Sequence, residues 1–171
     1  VMELFYEFKH LPTATEYSDR DLRALVMKDD LVDTDSQAVI ARRYDPVTPA
    51  MMQQVAAAGI EEVEVVDVSV DNGTLIKTLR EDSKMGIHNE EDALKEIYKR
   101  MRPGDPPTAS NAKAMIQRLF FERAHYDLGY VGRHKINKRL GLTGKIDENL
   151  RTLHESGIDI IEAIRLLLRI H

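Results

Sequence analysis

The 171-residue chain carries a formal net charge of -5 at pH 7, is 43% hydrophobic and 31% charged, and contains no cysteine. This composition is typical of a folded globular protein with a buried core, and it excludes disulfide bridges and thiolate chemistry. Because the sequence has no run of eighteen apolar residues and no signal-peptide pattern, it predicts neither a membrane-spanning nor a secreted protein.

The first predicted elements are short. SDRDLRALVMK has a capping serine, Ser18, acids in its first turn and apolar residues on one face, so it predicts a short helix. QAVIARRY, residues 37–44, is rich in strand formers and predicts a strand. Thr48 and Pro49 are suited to the cap and first position of a second helix, which Gly59 closes.

A β-hairpin is predicted next. VEVVDVSV alternates apolar residues imperfectly, Asn72-Gly73 offers a tight turn, and TLIKTL is the expected second strand. Residues 1–82 are therefore expected to form a small mixed α and β module that moves relative to the rest of the chain. We place the linker within REDSKMGIHN, residues 80–89, where charge, a glycine and a helix cap coincide.

Residues 83–171 carry the stronger helix signals. NEEDALKEIYKRMRP begins at the cap Asn89, has acids at its start and bases at its end, and stops at Pro103. SNAKAMIQRLFFERA and IDIIEAIRLLLRIH repeat apolar residues on one face. The last helix has no capping glycine, which leads us to expect a piece of a longer protein. The predicted fold class is α+β: a mainly helical core with a small mixed module that contains a β-hairpin.

Between the first two of these helices lies RPGDPPT, residues 102–108, here called the proline loop. Three prolines forbid a helix and make a stiff, projecting connection with Arg102 at its base. From the residues alone, a rigid connector is the simpler interpretation, and a functional surface is the alternative.

A basic cluster lies in RHKINKRL. It consists of Arg133, Lys135, Lys138 and Arg139. The glycines at positions 129, 132 and 141 are expected to break regular helix, which leaves the four cations on one short segment. Two interpretations stay open: a solvated helix face, or a surface that binds a polyanion or an acidic protein.

The sequence contains no catalytic or metal-binding pattern. The histidines lack the spacing of metal ligands, and motifs for phosphate loops, dinucleotide binding, nucleophile elbows and zinc proteases are missing. The acids of MKDDLVDTDSQ lack the glycine and distant glutamate of a calcium loop. We therefore expect no catalytic residues, no metal ligands and no cofactor in this chain.

Two long motifs, EIYKRMRPGDPPT and RLFFERAHYDLGYVGRHKINKRLGL, resemble in order and spacing the β subunit of bacterial RNA polymerase, in the part called the β lobe. The resemblance is strong over residues 88–142. The helix ending in LLLRIH extends it, as does IARRYDPVTPAMMQQVAAAGIEEVEVV more weakly. It implies a fragment of a DNA-directed RNA polymerase, which is a nucleotidyltransferase, without catalytic residues of its own; the magnesium would belong to the partner subunit.

The resemblance also implies roles for the two surface features. The proline loop matches the family's gate loop, which faces the clamp across the DNA cleft; the residues concerned are Arg102, Pro103, Gly104, Asp105, Pro106 and Pro107. The basic cluster matches residues that help to build the lobe, and we expect it to brace acidic partners such as Glu90, Glu91 or Asp127. His125 stands where family members can carry a basic residue just before YDL.

The implied work of this region is to form a wall of the DNA cleft and to dock transcription factors. The implied partners are other polymerase subunits, DNA in the assembled enzyme, and sigma and NusG-type factors, with no membrane. The implied location is the bacterial cytoplasm, in association with the nucleoid. The alternative from a different class is a free-standing helical adaptor that binds an acidic protein surface through residues 133–139.

Overall fold

The structure is a computed structural model that describes residues 1–170, and it divides the chain into two compact units. Residues 1–80 form the N-terminal unit together with Arg169 and Ile170, and Glu81–Leu168 form the helical unit. Six α-helices and two small antiparallel sheets in the described residues confirm the α+β class. None of the helices within residues 1–170 has the length and apolar character needed to cross a membrane.

The N-terminal unit is built around short strands. These are β1 (Glu7–Pro12), β2 (Leu25–Met27), β3 (Leu31–Val32), β4 (Val39–Ala41) and β5 (Glu62–Asp67). A three-stranded antiparallel sheet has the order β1-β5-β2, and β3 pairs with β4 as a small hairpin. Helix α1 (Pro49–Ala57) precedes β5, and helix α2 (Thr74–Lys84) follows it and crosses the boundary between the two units. The segment expected as a linker, residues 80–89, is therefore helical in its first part.

Strand β5 is the centre of the N-terminal unit. Its neighbouring residues Val65 and Val66 are both fully buried, so both faces of the strand are covered. Two-sided burial explains why the apolar alternation of VEVVDVSV is imperfect. One face joins the main apolar core, whose buried members are Leu22, Leu25, Met27, Ala41, Val47, Met52, Val55, Val63 and Val65.

Helix caps with local signals lie where the sequence predicts them. The Thr48 hydroxyl accepts a hydrogen bond from the Met51 N–H at 3.2 Å, with Pro49 at the first helical position. The Asn89 side chain accepts from the Asp92 N–H at 2.9 Å. Each cap satisfies a backbone donor that the first helical turn leaves unpaired, which explains why these predictions are confirmed.

The predicted position of the β-hairpin is wrong. Asn72 and Gly73 do form a left-handed turn, with φ of 54° and 73°, but the turn leads into helix α2. The buried Asp71 carboxylate accepts hydrogen bonds from the N–H groups of Gly73 and Leu75, both at 2.9 Å, and so starts the helix. The Tyr6 hydroxyl donates to the same carboxylate at 2.8 Å. The hairpin of this unit is instead formed by β3 and β4.

The helix predicted at Ser18 is also wrong. The Ser18 hydroxyl donates to the Asp21 carboxylate at 2.7 Å, yet the backbone makes only turns there. Ala24 has a φ of 62°, which interrupts any right-handed helix. The following residues, Leu25–Met27, are all buried and pair with β5, so strand pairing overrides the local helix signal.

Acid should destabilise the N-terminal unit partly through Asp67 on β5. Burial alone would raise the pKa of Asp67, but hydrogen bonds from Lys9 and Ser69 hold it below its ordinary value. The stabilisation that the charged Asp67 carboxylate provides is therefore complete above its unfolded-state pKa of about 4. It is lost as the pH falls through the lower pKa that Asp67 has in the folded state. Urea unfolding of Asp67→Asn at stepped pH should show a shallower loss of stability in this acid range.

Asp105→Asn is the matched control for this prediction. Asp105 is exposed and has no ion-pair partner among residues 1–170, so its replacement should leave the wild-type pH dependence intact. An unchanged acid dependence in Asp67→Asn would contradict the assignment to this carboxylate.

The helical unit consists mainly of four helices. They are α3 (Glu90–Met101), α4 (Ala109–Phe121), α5 (Gly129–Leu140) and α6 (Ile158–Leu168). Helices α3 and α4 pack against each other, as do α5 and α6. Buried apolar side chains in this unit include Tyr98, Ala112, Leu142 and Ile146. The proline loop connects α3 to α4, so the packing of these two helices fixes both of its ends.

Candidate functional site

The proline loop begins with a tight turn. The Asp105 N–H donates to the Arg102 carbonyl at 3.3 Å, with Pro103 and Gly104 at the two central positions. Gly104 has a φ of 101°, and proline followed by left-handed glycine is the arrangement of a type II turn. The loop ends at Thr108, whose hydroxyl accepts from the Asn111 N–H at 3.2 Å and caps α4. A fixed turn and a helix cap thus hold the two ends of the loop.

Every side chain of the proline loop, residues 102–108, is exposed. Such a loop adds little to the core, so its proline content cannot be explained by packing. Its prolines instead limit the conformations that the exposed backbone can adopt. The structure therefore supplies a stiff, solvent-facing projection, and its role as a gate loop stays a prediction.

A groove of about 610 Å³ lies beside this loop, between α3 and α4. Residues that line this α3–α4 groove include Tyr98, Arg102, Asn111, Met115, Arg118 and His125. Arg102, Arg118 and His125 bring basic groups to the same opening. Among the described residues, His125 alone of these three has a carboxylate within ion-pair distance, with its ring Nδ1 3.4 Å from Glu122. The α3–α4 groove thus offers two guanidinium groups to an anion.

The arginines of the α3–α4 groove differ from most others in the helical unit. Five arginines of this unit form ion pairs: Arg100, Arg123, Arg133, Arg151 and Arg165. Within residues 1–170, the side chains of Arg102 and Arg118 have no such partner. An unpaired guanidinium keeps all its donors available for phosphate or carboxylate groups. These two side chains are therefore the best-placed cations for binding an anion beside the proline loop.

The basic cluster lies on a regular helix, contrary to the sequence-based expectation. Gly129 begins α5 and Gly141, with a φ of 68°, ends it. Gly132 lies inside the helix, where a Cβ would come within 3.4 Å of the Leu128 side chain. Glycine lowers helix propensity by only about 1 kcal/mol, and packing outweighs that cost here. The glycines at 129 and 141 mark the helix ends and do not break its interior.

Helix α5 divides the basic cluster between the interior and the surface. Arg133 is fully buried, and its guanidinium makes two hydrogen bonds, of 2.5 and 3.2 Å, to the carboxylate of Asp159 on α6. Asp159 is 2% exposed and also accepts from the His154 N–H at 2.7 Å. This pair joins α5 to α6 inside the helical unit, so Arg133 cannot bind an external polyanion.

The other three cations of the cluster remain at the surface. Lys135, Lys138 and Arg139 are exposed and have no ion-pair partner among the described residues. Positions 135, 138 and 139 have the spacing i, i+3 and i+4, so all three side chains lie on one side of α5. Of the four cations in the basic cluster, only these three could therefore bind a polyanion or an acidic protein surface.

Two of the three acids expected to brace the basic cluster have other partners. Glu91 pairs with Lys95 one helical turn away, and Asp127 pairs with Arg151 at 2.7 Å. The Arg151 side chain and then the Gly129 N–H hold the pKa of Asp127 below its ordinary value. The expectation of bracing therefore fits Arg133 only, and its partner is Asp159, which the sequence analysis missed.

The described residues contain no group of three or more histidine, aspartate or glutamate side chains arranged to hold a metal ion.

Comparison with known proteins decides the family. The model of the family described as RNA polymerase Rpb2, domain 2, matches residues 64–171. The DNA-directed RNA polymerase subunit beta of Methylacidiphilum infernorum is 37% identical over 171 residues, which is 99% of this chain. The chain belongs to the family of RNA polymerase β subunits. This finding confirms the resemblance seen in the two long motifs, and a free-standing helical adaptor does not fit it.

Other β subunits match over nearly the whole chain as well. Those of Chlamydia muridarum and Protochlamydia amoebophila are 35% and 33% identical, each over 98% of this chain. In all three relatives the match covers 13% of the relative's own length. The chain thus corresponds to a small part of a β subunit, and this part includes both the N-terminal and the helical unit.

Sequence reasoning also missed Arg118 in the polymerase lobe region. It lies on α4, 16 positions after Arg102, and only the packing of α3 against α4 brings both side chains to one groove. A signal was present, because Arg118 interrupts the run of apolar residues in AMIQRLFF. A basic residue between apolar ones on a packed helix marks the edge of the buried face.

Proposed function

We propose that this region of the RNA polymerase β subunit forms part of a wall of the DNA cleft, with the proline loop and the α3–α4 groove facing the nucleic acid. The observation that supports the proposal best is the pair of guanidinium groups of Arg102 and Arg118, which have no ion-pair partner in the described part of the chain and lie in an open groove beside a stiff exposed loop. Guanidinium groups bind phosphate oxygens with two parallel hydrogen bonds, which suits the DNA backbone.

The net charge of the chain is consistent with a local role of this kind. At a net charge of -5, the chain as a whole does not attract DNA, so contact must depend on a few cations in one place. Such contacts would hold the DNA without reading its sequence. The region alone should bind free DNA weakly, and the rest of the polymerase would supply most of the DNA affinity.

The proposal extends to the whole polymerase. Within the assembled polymerase, which is a nucleotidyltransferase, this region would contribute no catalytic residue. The magnesium would be bound by the partner subunit. Its partners are the other polymerase subunits, DNA and regulators such as sigma and NusG-type factors. The proposed location is the bacterial cytoplasm, at the nucleoid, and NusG-type factors would dock on the proline loop.

Removing the two guanidinium groups should weaken DNA retention in a salt-dependent manner. In reconstituted polymerase, the double variant Arg102→Ala, Arg118→Ala loses up to two phosphate contacts. A plot of log complex stability against log salt concentration should then be shallower by about 0.9 per lost contact, or by about 2 in total. The dissociation rate of preformed DNA complexes, measured at several salt concentrations, gives this slope.

Arg100→Ala is the matched control on α3. Arg100 is exposed but pairs with Glu96 at 3.0 Å, so its replacement should leave the slope near that of the wild type. If the double variant kept the wild-type slope, or if Arg100→Ala changed it equally, the α3–α4 groove would not be a DNA-facing surface.

A further inference from the structure

Helix α6 exposes an unusual amount of apolar surface. Eight of its eleven residues, IDIIEAIRLLL, are apolar, yet the residue of this helix that is buried is Asp159. Ile160, Leu166 and Leu167 are 40%, 45% and 80% exposed. Single exposed apolar residues are common on protein surfaces, but several on one helix mark a surface that is covered in the functional state.

These side chains border a second groove, of about 490 Å³, between α5 and α6. Residues that line this α5–α6 groove include Lys135, Ile136, Arg139, Ile160, Ile164 and Leu167. Its one carboxylate, Asp159, is already bound by Arg133. Within residues 1–170, the α5–α6 groove is therefore an apolar trough lined by two cations without ion-pair partners, Lys135 and Arg139, and by no free acid that could balance them.

We propose that the α5–α6 groove is a docking site for another segment of the same β subunit, a segment with apolar side chains and at least one acidic side chain facing Lys135 or Arg139. The relatives support a partner within the subunit, because the matched region is only 13% of their length and most of each β subunit lies outside it. Apolar side chains would fill the trough, and the acid would pair with a cation at its edge.

Two other occupants fit this surface less well. A second copy of the chain, docked about a twofold axis, would bring the same cations toward an equally basic groove, and like charges would oppose each other. A nucleic-acid backbone would place phosphates over an apolar floor, where only two cations could neutralise them. An apolar peptide segment with an acidic residue satisfies both parts of the surface.

The proposal depends on family membership and is independent of the DNA-facing role of the α3–α4 groove. It is tested in the full-length subunit within reconstituted core polymerase. Leu167→Cys and the control Val131→Cys are labelled with a maleimide, and labelling is measured for each peptide by mass spectrometry. Val131 is 68% exposed on α5 and lies outside the groove lining. We expect Cys at position 167 to react at least tenfold more slowly than Cys at position 131.

A photo-crosslinking amino acid at position 167 identifies the occupant in the same assembled enzyme. Capture of a β-subunit peptide that lies outside this region and contains an acid next to apolar residues supports the proposal. Equal labelling at positions 167 and 131 overturns it. So does capture of another polymerase subunit, a second copy of this region, nucleic acid or a peptide from residues 1–170.

Charge reversal tests the acidic part of the proposal. Lys135→Glu should speed the labelling of Cys at position 167 several-fold, because it repels the acid of the docked segment. Lys138→Glu is the matched control, since Lys138 is exposed on the same helix but does not line the groove. Equal effects of the two variants would overturn the assigned charge pairing. DNA retention by the Arg102→Ala, Arg118→Ala enzyme is measured separately, so failure of either proposal can be told from failure of the other.

Discussion

Replacement of Arg133 by alanine is expected to lower the free energy of unfolding of the helical unit by about 3–5 kcal/mol, because it leaves a buried carboxylate without its cation. Arg133 is fully buried and Asp159 is 2% exposed, so water cannot replace the lost partner without opening the structure. Urea unfolding of the chain, followed by the helical circular dichroism signal, measures the change.

Two further variants separate charge pairing from general damage. Arg139→Ala on the same helix removes an exposed cation that has no ion-pair partner within residues 1–170, and it should change stability by about 0.5 kcal/mol or less. The double variant Arg133→Met, Asp159→Leu removes both charges and should recover roughly half of the loss or more, although the His154 N–H loses its acceptor. A double variant as unstable as Arg133→Ala would show that packing around the arginine, and not its charge, dominates.

Replacing Pro103, Pro106 and Pro107 by glycine is expected to weaken docking of a NusG-type factor to the polymerase about 10- to 100-fold. Each proline restricts the backbone, and its loss costs about 0.4–1 kcal/mol of ordering free energy when the loop is fixed by a partner. The helices should stay folded, because α4 keeps its Thr108 cap and α3 its Asn89 cap. The affinity of the factor for reconstituted polymerase measures the loss of docking. A circular dichroism spectrum of the variant chain shows whether the helices stay folded.

Asp105→Ala is the informative comparison in the proline loop. It removes an exposed side chain and keeps all three prolines, so it tests contact without changing stiffness. Stiffness is the wrong explanation if Asp105→Ala weakens docking as much as the glycine variant does. Unchanged docking of the glycine variant would mean that the proline loop is not the factor site.

Features encoded by neighbouring residues could be predicted from the sequence. The caps at Thr48 and Asn89 and the stop at Pro103 depend on residues within one helical turn, so a single stretch of sequence contains all the necessary information. The proline loop belongs to the same class, since its prolines alone exclude a helix. The motifs of this region also carried the family resemblance.

Features that depend on distant residues could not be predicted in this way. Asp71 caps α2 through local bonds, but its carboxylate is itself buried and accepts a hydrogen bond from Tyr6, 65 positions earlier in the chain. Arg133 pairs with Asp159, which lies 26 positions later in the chain. The packing of α5 on α6 determines which acidic side chain Arg133 contacts. Local propensity is the weaker influence wherever such tertiary contacts form.

The central position of β5 has a consequence during protein synthesis. Strand β1 ends at Pro12 and its partner β5 begins at Glu62, so the ribosome adds about 50 residues before β1 can pair. At a synthesis rate of roughly 5–20 residues per second, the backbone groups of β1 stay without their β5 partners for several seconds. The α3–α4 pair, by contrast, has its two helices joined by seven residues and can form as soon as it emerges. A nascent chain should therefore acquire its later helices quickly, while its earliest strand depends on a contact of high sequence separation and is the segment most exposed to chaperones and misfolding.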